Sequence, residues 1–198
     1  MPVFFLFGQL FKKNVHHNRE TMTEEQLVKG CLKGEAQAQK ALFEQYSGKM
    51  LSLCKRYAGS QEEAEDIFQE GFIKVYEKLN QFSGTGSLGG WIRMVMINTA
   101  LIHIRKNKQQ QYDEAIEEAK TLDSGDINAL AKMSLDDLEA LINSMPLGYK
   151  TVFNLFAVEG YAHKEIAEML GISESTSKTQ FLKARAFLKR SINEIELK

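Results

Sequence analysis

Between Ser173 and Arg190 the chain holds side chains that could hydrogen-bond phosphates and base edges. Ser175, Thr176, Lys178, Thr179, Gln180, Lys183 and Arg185 are all of the types that contact a duplex. Residues 174–190 carry five bases against the single acid Glu174, a local charge of +4. The whole chain has a net charge of −1, so any nucleic-acid binding must come from local patches. Just upstream, Ile166 and Leu170 share a helical face, Ala167 is small enough for a close crossing, and Gly171 supplies a tight turn. Ser173 then caps a second helix, on which Phe181, Ala184 and Leu188 face inward at spacings of three and four. Ser175, Thr179, Lys183 and Arg190 are left outward, with Lys178 and Arg185 to the sides. This is a helix-turn-helix pattern. The bland alternative is a solvated basic helix in a plain bundle. Ser177 is a departure, a hydroxyl where the motif normally packs an apolar side chain on its partner helix.

A second set lies in residues 61–79. Ala64, Phe68, Phe72, Val75 and Leu79 recur at intervals of four or three, the stripe of a helix packed on a core. The opposite face carries Glu62, Asp66, Glu70 and Glu77 with Ile73 among them. An acid face bearing an exposed Ile suits protein docking, against the alternative of an ordinary solvated face. Asp66 and Glu70, one turn apart, also resemble half of a magnesium-diphosphate site, but no second acidic helix complements them.

The third set is the glycine-rich loop Phe82–Gly90, followed by Trp91 and a helix ending in Arg105-Lys106-Asn107-Lys108. Flexible backbone, an aromatic and a basic cluster suit single-stranded nucleic acid. Taken alone, Trp91 reads as a core residue more readily than as a stacking platform.

The elements that must position these sets are helices. Only two prolines and long stretches of Leu, Ala, Glu, Lys and Gln favour an all-α protein. Helices are expected over Glu24–Lys33, Ala36–Tyr57, Gln61–Leu79 and Trp91–Lys106, the last apolar on nearly every side and hence mostly buried. From Asn107 to Met133 the periodicity thins and acids gather, Asp113, Glu114, Glu117, Glu118, Asp123 and Asp126 against Lys120. That reads as a linker. A second helical block starts at the cap Ser134 and breaks at Met145–Gly148. The layout is two small helical domains joined by an acidic linker: a leader over 1–22, a first domain over 23–108, the linker over 109–133 and a second domain over 134–198.

The apolar run Val3–Phe11 is shorter than the roughly 20 residues of a membrane span and lacks a signal-peptide pattern. An unstructured leader is expected, with Met22 a candidate true start and no membrane insertion. Cys31 and Cys54 form no CxxC pair and have no His at ligand spacing, so neither disulfide nor zinc is indicated and no metal or other cofactor is expected. Two reduced, inert thiols fit a cytoplasmic protein.

In this order the three sets resemble the extracytoplasmic-function sigma factors, small members of the sigma-70 family of RNA polymerase sigma factors, over Glu24 to about Ile192. The segment Ala64–Leu79 resembles the family's region 2 and implies that Asp66, Gln69, Glu70 and Ile73 bind core RNA polymerase at its β′ clamp. The stretch Gly86–Arg105 is similar to the part that opens and reads the minus-ten element. The resemblance implies contacts from Asn80, Phe82, Trp91, Arg93, Asn98, Arg105 and Lys106. Ile102 replaces a usual Asp there, and Gly89 a larger, often basic residue. The stretch from Ser144 through the helix-turn-helix resembles region 4, with Ser175, Thr176, Lys178, Thr179, Gln180, Lys183 and Arg185 set toward a minus-thirty-five element. It also implies contact with the β subunit, passage of the acidic linker along the RNA-exit path, an anti-sigma factor, and no enzymatic activity. The rival readings are a stand-alone helix-turn-helix regulator, a magnesium-dependent all-helical enzyme and an adaptor protein.

Overall fold

The structure is a computed structural model that describes residues 22–111 and 134–196; all described secondary structure is helical. The expected leader and most of the expected linker lie outside the described residues. Helices α1 (Glu24–Leu32), α2 (Ala36–Tyr57), α3 (Gln61–Lys78) and α4 (Leu88–Gln111) form the first block, with a 3-10 turn at Leu79–Gln81. The second block comprises α5 (Leu135–Asn143), α6 (Leu147–Phe153), a π turn at Asn154–Val158, α7 (His163–Leu170) and α8 (Glu174–Glu196).

Local chemistry sets the helix starts. Thr23 and Gln26 close a reciprocal capping box. Ser60 accepts from the Glu63 N–H at 3.1 Å, Ser134 from Asp137 at 3.1 Å and Ser173 from Thr176 at 3.0 Å. Gly171 ends α7 with φ +66°, the left-handed conformation that glycine adopts without strain.

The stripe Ala64, Phe68, Phe72, Val75 and Leu79 is buried in full, joined by Ile67. Phe43 of α2 stacks tilted on Phe72 at 4.9 Å between centroids, and Phe72 meets Phe68 edge to face at 5.0 Å. Three sequence expectations need correction. Helix α4 starts at Leu88, three residues earlier than expected, and runs on to Gln111, past the start set for the linker. It is also less buried than its composition implies. Leu88, Ile92, Met96, Ile97, Leu101 and Ile104 are in the core, but Met94 (51% exposed), Asn98, Ile102 (37% exposed) and Arg105 form a solvent stripe at helical spacing. Ile73, expected to be exposed, is half-buried.

The two blocks are not held apart. Val152, Leu155, Ile166 and Leu170 of the second block belong to the same buried cluster as the first. Helix α6 packs against α2, and α7 against α4. The linker pattern speaks only of chain connectivity; burial of apolar faces on both blocks is what brings them together.

Candidate nucleic-acid interface

On α3, Glu62, Asp66, Gln69 and Glu77 are exposed on the face opposite the buried stripe. Glu70 is partly covered and both its carboxylate oxygens are occupied. Lys74 Nζ lies 2.6 Å from Oε1, and His103 of α4 is hydrogen-bonded to Oε2. The Lys74 hydrogen bond, with His103 beside it, holds the Glu70 carboxyl below its ordinary range, against a smaller opposing effect of burial. This acid therefore ties the α3 face to α4. Among the described residues no cluster of three or more His, Cys, Asp and Glu could hold a metal ion.

The loop before α4 is built from glycines at positive φ, Gly84 at +76° and Gly86 at +85°, and the Ser83 and Thr85 hydroxyls on either side of Gly84 are 2.6 Å apart. A residue missed from sequence anchors its end. Glu24 accepts from the Leu88 N–H at 2.9 Å, at the N-terminus of α4, and from the Tyr46 hydroxyl at 3.1 Å. Gly89 has a packing reason: a Cβ there would stand 3.1 Å from Cε1 of Tyr46. Phe82 and Trp91 are half-buried against each other, ring centroids 5.9 Å apart. Asn80, Asn98, Arg105 and Lys106 are exposed.

Arg93 is engaged differently. Its Nε and Nη2 donate to the two oxygens of Glu159 at 2.5 and 2.7 Å. Glu159 comes from the second block and its side chain is only 3% exposed; Arg56 Nη1 stands 3.9 Å from the same carboxylate. Nearby, Lys150 Nζ donates to the Ala58 carbonyl at 2.9 Å and Asn154 Nδ2 to the Arg56 carbonyl at 3.1 Å. These carbonyls belong to the C-terminus of α2, whose last acceptors lack helical partners and attract positive charge. Burial lowers the Lys150 pKa, opposed in part by Glu63. No sequence signal marked Lys150, Asn154 or Glu159. The π turn, which sequence periodicity does not reveal, sets Asn154 and Glu159 on the side facing α2 and α4.

On α8, Ser175, Lys178, Thr179 and Arg185 are exposed, while Thr176 and Lys183 are half-covered. Lys178 pairs with Glu174 at 2.7 Å, and Lys183 lies over the Tyr149 ring at 5.9 Å. Gln180 was expected to face a duplex, but its Oε1 is buried without a partner, near Gly148. Leu182, missed in the sequence reading, is 61% exposed among the basic residues. Ser177 is fully buried, its hydroxyl 2.9 Å from His163 Nδ1, and His163 stacks on Phe156 at 4.3 Å. The departure at Ser177 is thus matched by a hydrogen-bond partner at His163.

Both thiols are buried, and burial pushes Cys31 up to about 11 and Cys54 to about 12. Each stays protonated and unreactive at neutral pH.

Sigma-70 region 2 matches residues 42–110, and Sigma-70, region 4 matches residues 135–188. The chain is 27% identical to the ECF RNA polymerase sigma-E factor of Haemophilus influenzae, over 89% of this chain and 98% of that one. It is 28% identical to the ECF RNA polymerase sigma factor SigW of Bacillus subtilis, over 85% and 96% of the two chains. Among solved structures it is similar to the sigma factor RpoE of Bartonella quintana in complex with the anti-sigma factor NepR. There the identity is 17%, the TM-score 0.49, and the coverage 79% of this chain and 96% of that one.

Proposed function

The chain belongs to the sigma-70 family of RNA polymerase sigma factors, in its extracytoplasmic-function group, and on that premise we propose which residues do its work. The protein binds core RNA polymerase and directs promoter-specific initiation of transcription. Core binding falls to Asp66, Gln69, Glu70 and Ile73 on α3. Minus-ten contacts fall to Asn80, Phe82, Trp91, Arg93, Asn98, Arg105 and Lys106. Minus-thirty-five contacts fall to Ser175, Thr176, Lys178, Thr179, Lys183 and Arg185, while Gln180, its Oε1 buried near Gly148, is left out of the set. The protein performs no catalysis of its own. Strand opening comes from capture of an unstacked base beside the glycine-rich loop, offset by binding energy. The site of action is the cytoplasm, where the polymerase is, and an anti-sigma factor is part of the same proposal.

The observation that carries this reading is the pairing of two exposed, oppositely charged faces on helices whose other sides are buried. Asp66, Gln69 and their neighbouring acids stand on α3, and Ser175, Lys178, Thr179 and Arg185 on α8. Mixed with core polymerase and genomic fragments, the purified chain should produce discrete transcripts that core alone does not. A core preparation active with another sigma factor but silent with this one would reject the reading. Asp66→Arg should weaken binding to core at least about tenfold and shift stability by less than about 0.5 kcal/mol, because Asp66 is exposed. Titration of labelled protein with core, alongside denaturant unfolding, measures both.

A further inference from the structure

We propose that Glu24 of α1 is a positioning residue for minus-ten reading: with Tyr46 it holds the mouth of the glycine-rich loop in the shape that receives an unstacked base. The inference rests on the sigma-factor reading, because it concerns the loop to which that reading gives base capture. Glu24 is outside every contact set of that reading. Residues 83–87 are all exposed, and a Cβ added at Gly84 or Gly86 would meet nothing within 4 Å, so the tip of the loop has little packing to shape it. Its conformation is left to its two ends.

The first end is fixed by the 3-10 turn, where Leu79 is buried and its carbonyl accepts from the Phe82 N–H at 3.1 Å. The second is fixed at Leu88, whose side chain is fully buried and whose N–H donates to Glu24 Oε2 at 2.9 Å. Helix α1 packs on the 3-10 turn as well, so one helix meets both ends. Phe82 and Trp91 close the mouth between them, ring centroids 5.9 Å apart. An acid in the first turn of α1 is favourable to that helix wherever its side chain points. Here both oxygens reach out of the helix, Oε1 to the Tyr46 hydroxyl at 3.1 Å and Oε2 to a backbone N–H 64 positions away in sequence. The Tyr46 ring in turn crowds the second residue of α4, where a Cβ on Gly89 would stand 3.1 Å from Cε1. The carboxylate and the ring together set where α4 begins and how the loop enters it.

The test uses the full-length chain, core RNA polymerase and a promoter from which the wild type initiates. Glu24→Ala removes both acceptors, whereas Glu24→Gln keeps one for the Leu88 N–H. Glu24→Ala should form open complexes on the duplex promoter about tenfold more slowly, the size expected from losing one charged hydrogen bond. Its affinity for core and its helix content by circular dichroism should match the wild type. A template already unpaired over the minus-ten element should restore most of its rate, because unpairing is then complete beforehand. Glu24→Gln should recover most of the rate on duplex. Trp91, the chain's single tryptophan, reports the mouth directly: its emission in the free protein should move to longer wavelength in Glu24→Ala and stay in place in Glu24→Gln. Should Glu24→Ala fail to fold, Tyr46→Phe, which deletes one hydroxyl, carries the same expectation at a smaller size. A wild-type duplex rate in Glu24→Ala, or an equal loss on duplex and unpaired templates, overturns the positioning role while the sigma reading stands. Wild type that initiates nowhere with a core preparation active with another sigma factor overturns the sigma reading, and this inference with it.

Discussion

Ser177 shows how a local departure acquires meaning from its neighbour. A hydroxyl in a helix crossing leaves a polar group buried, which is tolerated when it is hydrogen-bonded; His163, stacked on Phe156 and edge to face with Phe181, supplies the partner. Glu70 is the other residue whose environment exceeds its pattern. Its pKa lies below the ordinary 4.5, through Lys74 first and His103 second. A depressed carboxylate stabilises the fold above its unfolded value, and that contribution is lost as pH falls through the lower folded value. Stability of the wild type should therefore decline below pH 4.5 more steeply than that of Glu70→Gln, which lacks the titrating group. Denaturant midpoints measured from neutral pH into the acid range give the comparison, and parallel curves for the two proteins would show the ion pair to be inconsequential.

At the scale of elements, the close approach of α3 and α4 positions the partner-facing acids relative to the nucleic-acid candidates. Gly71 makes that approach possible. A Cβ on it would stand 2.2 Å from Sδ of Met96, itself fully buried and without solvent to move into. Glycine inside a helix costs about 1 kcal/mol relative to alanine, so its presence here reflects packing rather than propensity. Gly71→Val should destabilise the first block by about 1–3 kcal/mol through overpacking, and Met96→Ala in the same chain should recover part of the loss. Thermal unfolding of the single and double variants reads this. Additive losses would mean that the two residues do not contact each other. The loop to α4 is positioned in the same spirit, by Glu24 reaching from α1 to the Leu88 N–H.

At the scale of the whole molecule, the shared core makes a thermodynamic statement. With Val152, Leu155, Ile166 and Leu170 in one cluster with the first block, the two blocks should unfold together. Wild type is expected to melt in one calorimetric transition, and Glu159→Arg in two, since the weaker interface no longer couples them. A single unchanged transition in the variant, or two in the wild type, would contradict that coupling.

The sequence by itself determined the all-helical class, most helix limits, the buried stripe of α3 and the turn at Gly171. These depend on periodicity and capping within a few residues, which a linear reading captures. It also located the faces that bear charge, because a helix fixes which side chains share a side. Only the tertiary structure decided which of those side chains are free. Arg93 is held by Glu159, Glu70 by His103, and Gln180 is turned inward, each through packing contacts between helices. The π turn and the capping of α2 by Lys150 and Asn154 were invisible for the same reason. Such contacts join residues dozens of positions apart, and no local spacing encodes them.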